Sequence, residues 1–232
     1  MLRVFTIIAL VVNILWANFA VEPFVVVLRA QSGQLTDWVT LKTNQDVRPV
    51  PVELSIKQRL MDIDGKEVLD SPDSDKLVVY PSQLVVYPGE ETKVQITWAG
   101  KAKPDRDMVF TLLAEEVPVN IPNADKGAEQ SPVTSMSTLV RYRAVVAIET
   151  GKKGRLIAKS ARIDSIGQKV EILVENSGLG RVATDGMNLI IRGVKYSDFV
   201  GMNTNSIMPG EQRRFLLEIP FIPKASEIKF GY

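Results

Sequence analysis

Arg141 and Arg143 stand two residues apart in STLVRYRAVVAIE, residues 137–149. The stretch alternates and is rich in β-branched residues, so it predicts a strand, and a spacing of two places both guanidinium groups on one face. Paired cations have two uses on a sheet. They blunt an exposed edge against stray strand pairing, or they hold a carboxylate, whose two oxygens match the planar fork of arginine. The strand alone leaves both open.

Other chemistry is poorly supplied. The chain has no cysteine and no histidine, which removes Cys/His zinc sites, thiol nucleophiles and every triad built on an imidazole base. Glu90-Glu91 and Glu115-Glu116 are adjacent pairs; in strands they face opposite sides and cannot act as an acid/base couple, so they read as solvent-facing charges. DIDGKE (62–67) lacks the ligand spacing and downstream Glu of a calcium loop and reads as a hairpin turn. Gly178 and Gly180 precede no helix and make no phosphate cradle. With 28 Lys plus Arg against 27 Asp plus Glu, the balance excludes nucleic acid as the main partner. No catalytic residue, metal site or cofactor is expected.

The elements that must position the arginines are strands throughout. Val50, Val52, Leu54 and Ile56 alternate, as do Val94, Ile96 and Trp98, then Val170, Ile172 and Val174, Met187, Leu189 and Ile191, and Phe215, Leu217 and Ile219. Turn signals separate them: TNQD (43–46), DIDG (62–65), YPGE (87–90), ENSG (175–178) and MPGE (208–211). Many short strands without a helical period predict antiparallel sandwiches. PGEETKVQI (88–96) and PGEQRRFLL (209–217) share one turn-and-strand unit, which predicts two sandwiches in tandem, 21–150 and 151–232. TGKKGR (150–155) is the expected linker, with Lys152, Lys153 and Arg155 in solvent. The polar segment 120–136 is too long for a plain connection and lies directly before the arginine strand.

Arg3 followed by the apolar run Val4 to Trp16, and then ANFA, has the layout of a secretory signal peptide, here assigned to 1–20. The run is shorter than the ~20 residues needed to span a bilayer. The expectation is an exported, soluble protein without stable membrane insertion.

The order of YPSQLVVYPGEETKVQITW (80–98), DRDMVFTLLAEEVP (105–118), a polar gap and the arginine strand resembles periplasmic chaperones of the chaperone–usher pilus pathway, and looks closer to their divergent, archaic-like branches than to the best-known enterobacterial members. Pro88, Gly89, Phe110, Glu116, Val117 and Pro118 occupy the family's places. The resemblance implies an all-β fold of two tandem immunoglobulin-like β-sandwiches arranged as an L. It also implies a periplasmic protein that caps pilin subunits by lending its G strand, a process called donor-strand complementation, and passes them to an outer-membrane usher.

On that resemblance the donor strand spans 133–148, with Val133, Met136, Leu139 and Val140 as donor side chains. These do not share one parity, so a bulge is implied. Arg143 matches the family's G-strand basic residue, with Arg141 as runner-up, and Arg29 in FVVVLRAQSG (24–33) matches the first-strand basic residue; together they would hold the subunit's terminal carboxylate. Gln95 stands where relatives carry an arginine that pairs between domains, while Asp107 keeps the acidic member. An open donor strand further implies a weak self-capping dimer in the cargo-free protein. The rival readings are a secreted two-domain adhesion or cell-surface module and a carboxylate-only hydrolase.

Overall fold

The computed structural model describes residues 19–43, 49–68, 73–118, 139–164, 167, 169–203 and 206–231. The first eleven strands are β1 (Phe19–Glu22), β2 (Val25–Arg29), β3 (Thr36–Thr43), β4 (Val50–Gln58), β5 (Leu60–Met61), β6 (Glu67–Val68), β7 (Leu77–Tyr80), β8 (Gln83–Val86), β9 (Glu91–Trp98), β10 (Met108–Glu116) and β11 (Arg141–Glu149). The remaining seven are β12 (Leu156–Ile163), β13 (Val170–Asn176), β14 (Asn188–Ile191), β15 (Val194–Tyr196), β16 (Val200–Asn203), β17 (Gln212–Leu217) and β18 (Ile228–Gly231).

The first eleven strands build two facing sheets, ordered β1-β3-β9-β7 and β2-β11-β10-β4-β8, with β5 and β6 forming a separate hairpin. Their apolar faces meet in one core that includes Leu41, Val94, Ile96, Leu112 and Val146. The last seven strands build a second pair, β12-β13-β17-β16 and β15-β14-β18, around Ile172, Leu189 and Phe215. Period-two alternation produces both cores, because each strand turns every second side chain inward. The fold is all-β in two sandwich domains. The repeated PGE unit forms the same turn twice: Glu90 N–H donates to Tyr87 O (3.1 Å) and Glu211 N–H to Met208 O (3.0 Å). In each, the glycine after proline takes the positive φ this turn requires, 75° at Gly89 and 83° at Gly210.

Pro23 divides the first strand between the two sheets. It has no N–H for a ladder, and the chain changes partner across it. β1 runs antiparallel to β3, whereas β2 runs parallel to β11, with Val25 opposite Val145 and Arg29 opposite Glu149. Phe19 is fully buried and meets Tyr142 edge-on, with ring centroids 5.0 Å apart. Phe19 and Ala20, the last two residues of the segment 1–20 expected to be the signal, pair with β3 in the first sandwich.

The 150–155 segment is bound down rather than loose. Leu179 and Gly180 N–H both donate to Lys153 O (3.2 and 3.1 Å), and Ser177 N–H donates to Arg155 O (2.8 Å). A Cβ at Gly180 would lie 1.9 Å from Lys152 O, so only glycine permits this approach. The side chains of Lys152, Lys153 and Arg155 remain exposed, as expected. Glu116 departs from expectation: it faces inward and is buried.

Candidate functional site

β11 resolves the two readings of its arginines into geometry. Ala144, Val146 and Ile148 point into the core, so Arg141, Arg143, Val145, Ala147 and Glu149 lie on the outer face. Arg141 stands opposite Glu115 on β10, and Arg143 opposite Leu113. Both arginines already hold carboxylates of their own chain. Arg141 Nε donates to Glu115 Oε1 at 2.6 Å, and Arg143 Nη2 donates to Glu67 Oε1 at 2.6 Å.

The two pairs differ in environment. The Arg141 side chain is 62% exposed, and such pairs contribute little. Arg143 and Glu67 are 31% and 23% exposed, so water screens them less. Thr111 Oγ1 donates to Glu67 Oε1 (3.2 Å), and Arg59 Nε lies 3.4 Å from Glu67 Oε2. Burial pushes the Glu67 carboxyl upward, but its bond to Arg143 and the charges of Arg59 and Arg143 outweigh that and hold it below its ordinary value.

The backbone of the arginine segment faces an open edge. Val140 O accepts from Glu116 N–H on β10, whereas Val145 N–H donates to Phe24 O and Glu149 O accepts from Ala30 N–H on the opposite side. Main-chain groups alternate in direction along a strand, so those of Arg141 and Arg143 point away from β10. β2 covers that side only from Val145 to Glu149. Among the described residues nothing pairs with it at 141–144. Phe24 and Val25 sit exposed beside the gap. Leu139, 53% exposed, lies on the arginine face, and Val140 turns inward against the core. Val133 and Met136 lie outside the described residues.

Arg29 is not beside Arg143. It ends β2 opposite Glu149, six positions beyond Arg143, or about 20 Å along the strand at ~3.3 Å per residue. A single carboxylate cannot bridge that separation, so the expected Arg143–Arg29 clamp is corrected. Arg29 instead borders a cavity of about 560 Å³ with Gln31, Ser32, Asp107, Glu149 and Gly151. There Glu149 meets Arg181 of the second domain at 3.4 Å. Asp107 joins the domains without an arginine side chain: its Oδ1 accepts from Thr150 N–H and Oγ1 (2.8 and 2.7 Å), and its Oδ2 accepts from Arg181 N–H (2.9 Å). Gln95 sits in the other sheet, between Trp38 and Tyr80.

Two residues that matter here escaped the sequence reading. Glu67 holds Arg143, and Asp64, on the same hairpin, holds Arg214 of β17 through bonds of 2.7 and 2.5 Å. The only sequence signals were an acidic turn and, far downstream, Arg213-Arg214 in a strand.

No family model and no curated protein matches this sequence. Solved structures do. A chain of the chaperone–tip adhesin complex of CFA/I fimbriae biogenesis superposes with a TM-score of 0.61 at 12% identity, covering 93% of this chain and 98% of that one. The class 5 fimbriae chaperone CfaA gives 0.60 at 15% identity, over 92% and 98%. A chain of the CsuC–CsuE chaperone–tip adhesion subunit pre-assembly complex, from archaic chaperone–usher Csu pili of Acinetobacter baumannii, gives 0.53 at 12%, over 86% and 90%. The chain thus has the two-domain β fold of pilus chaperones along nearly its whole length.

Proposed function

We propose that this chain is a periplasmic chaperone that caps pilin subunits by donor-strand complementation and delivers them to an outer-membrane usher. One observation carries the reading: the edge of β11 at 141–144 is open, and the residues whose main chain faces it are the two arginines. An incoming strand would find main-chain donors and acceptors along that edge. Where it stops against Phe24 and Val25, its terminal carboxylate would come within reach of Arg143. Arg141 is a secondary contact on the same face, and Arg29 belongs to a separate place at the domain junction. The expected donor stretch continues the edge through Leu139, and in the cargo-free protein the same edge would pair weakly with a second copy.

The test is co-expression of this chain with secreted proteins encoded beside it, followed by purification from the periplasm. The reading expects a stable complex with one such protein, lost in Arg143→Ala while the variant keeps its β-sheet circular dichroism. Failure to recover any complex, or an Arg143→Ala variant that binds as well as the parent, would overturn it.

A further inference from the structure

The β5–β6 hairpin touches both the arginine face and the second domain. Asp62 Oδ1 accepts from the N–H groups of Asp64 and Lys66 (2.9 and 2.8 Å), which closes the turn, and Gly65 takes the positive φ it needs (78°). On one side of this small rigid turn, Glu67 holds Arg143. On the other, the Asp64 carboxylate accepts two bonds from the Arg214 guanidinium, and Ile63 O accepts from Arg214 N–H at 2.7 Å. The two carboxylates stand three positions apart on one hairpin, so losing the Arg143 bond removes one of the ties that hold the segment anchored on β17.

Glu67 is also well placed to let go. Arg143 is partly exposed, so an incoming carboxylate can approach it, and a partly exposed pair is exchanged more readily than a buried one. When Arg143 turns away, Glu67 still has the Thr111 hydroxyl and the Arg59 guanidinium, so its charge is not stranded.

We propose that the hairpin is an internal strap: Glu67 occupies Arg143 in the free protein, yields it to a cargo carboxylate, and transmits that exchange through Asp64 to Arg214 in the second domain. The inference rests on the reading of Arg143 as the cargo-carboxylate site. Linkage is reciprocal, so loosening the Asp64 anchor should also favour capture.

The probe is a short synthetic strand alternating valine and threonine, with either a free or an amidated C-terminus, titrated into the full chain. Glu67→Gln should tighten binding of the free-carboxylate peptide several-fold, to about tenfold, and leave the amide unchanged. Asp64→Asn, which leaves the arginine face intact, should move affinity in the same direction by a smaller factor. In the parent protein, the carboxylate peptide should speed hydrogen exchange at the Arg214 amide, and the amidated peptide should not. If the parent prefers the carboxylate and loses that preference in Arg143→Ala, yet Glu67→Gln, Asp64→Asn and Arg214 exchange show no effect, the strap is overturned and the Arg143 site stands. If no protein distinguishes carboxylate from amide, the Arg143 site is overturned and the strap with it.

Discussion

Arg143 and Glu67, seventy-six positions apart, share a 2.6 Å hydrogen bond on the outer face of the first domain. The side chain proposed to receive a foreign carboxylate therefore already holds one of its own chain. Its loss should show in binding far more than in folding. Arg143→Ala should weaken subunit capture by about 2 kcal/mol, the lower end for truncating one partner of a bonded charge pair, because the site is partly wet; that is about 30-fold. Arg141→Ala should cost only a few-fold, given its exposure. Arg29→Ala should leave any preference for a free terminus intact. Titration calorimetry checks the rank order, and an equal loss at Arg141 and Arg143 would contradict it.

The same pair predicts an acid dependence. The Glu67 carboxyl sits below its ordinary value of 4.5 in the folded protein, because Arg143 and Arg59 outweigh the burial that raises it. A depressed folded pKa gives stability that is fully present above the unfolded value and lost as pH falls through the folded one. Denaturant titrations from neutral pH to below the carboxylate range should show the parent losing stability on acidification. Glu67→Gln should start lower and lose less over the same window. Parallel curves would mean that the pair contributes nothing to folding.

What was legible in the sequence, and what was not, divides by range. Alternation from Val50 to Ile56 and from Val170 to Val174 reports burial directly, because a strand's two faces follow from covalent geometry, and the PGE units carry their own turn chemistry. Spacing alone also put Arg141 and Arg143 on one face. It could not reveal that β2 switches to a parallel partner after Pro23, which sets Arg29 opposite Glu149. Nor could an alternating pattern show a hairpin reaching from Arg143 to Arg214, since that contact is made by two domains, and no local pattern encodes it.

The anchor on the second domain is open to separate measurement. Arg214→Ala removes both bonds to Asp64 and leaves Asp64 in solvent rather than buried, so the stability cost should stay near 0.5–1.5 kcal/mol. The larger effect should be geometric. With the hairpin held on that side by the main-chain bond to Ile63 O alone, the domains keep the Asp107 contacts and the close approach at Gly180 but lose the side-chain tie. Small-angle scattering should show a broader distance distribution for Arg214→Ala at unchanged mass. An identical profile would assign the domain junction to the Asp107 and Glu149 contacts with Arg181 and to the 150–155 segment, without the hairpin.

Phe19 carries a prediction about processing. Its ring lies in the first core against Tyr142, so a mature chain that began after Ala20 would lack a core aromatic. Intact mass of periplasmic protein should show that Phe19 is retained and the apolar run through Trp16 removed. Phe19→Ala should cost about 3–5 kcal/mol, the usual range for emptying a buried aromatic site. A mature N-terminus beyond residue 20 together with full stability would remove Phe19 from the core.

The open edge itself can be separated from the charges it carries. Arg141 turns its main-chain N–H away from β10, toward the uncovered side, while Val140 and Tyr142 turn theirs toward β10. Proline at 141 therefore removes a donor that only an added strand would use, and proline is tolerated on strand edges for that reason. Alanine at 141 removes the same side chain and keeps the N–H. If capture proceeds by strand addition, Arg141→Pro should bind subunit about tenfold more weakly than Arg141→Ala, the value of one main-chain bond of about 1–1.5 kcal/mol. Its sedimentation at high concentration should also lose any dimer that Arg141→Ala retains. Melting temperatures of the two variants guard against unfolding as the cause. Equal binding by proline and alanine would mean that cargo engages the face of β11 and not its edge.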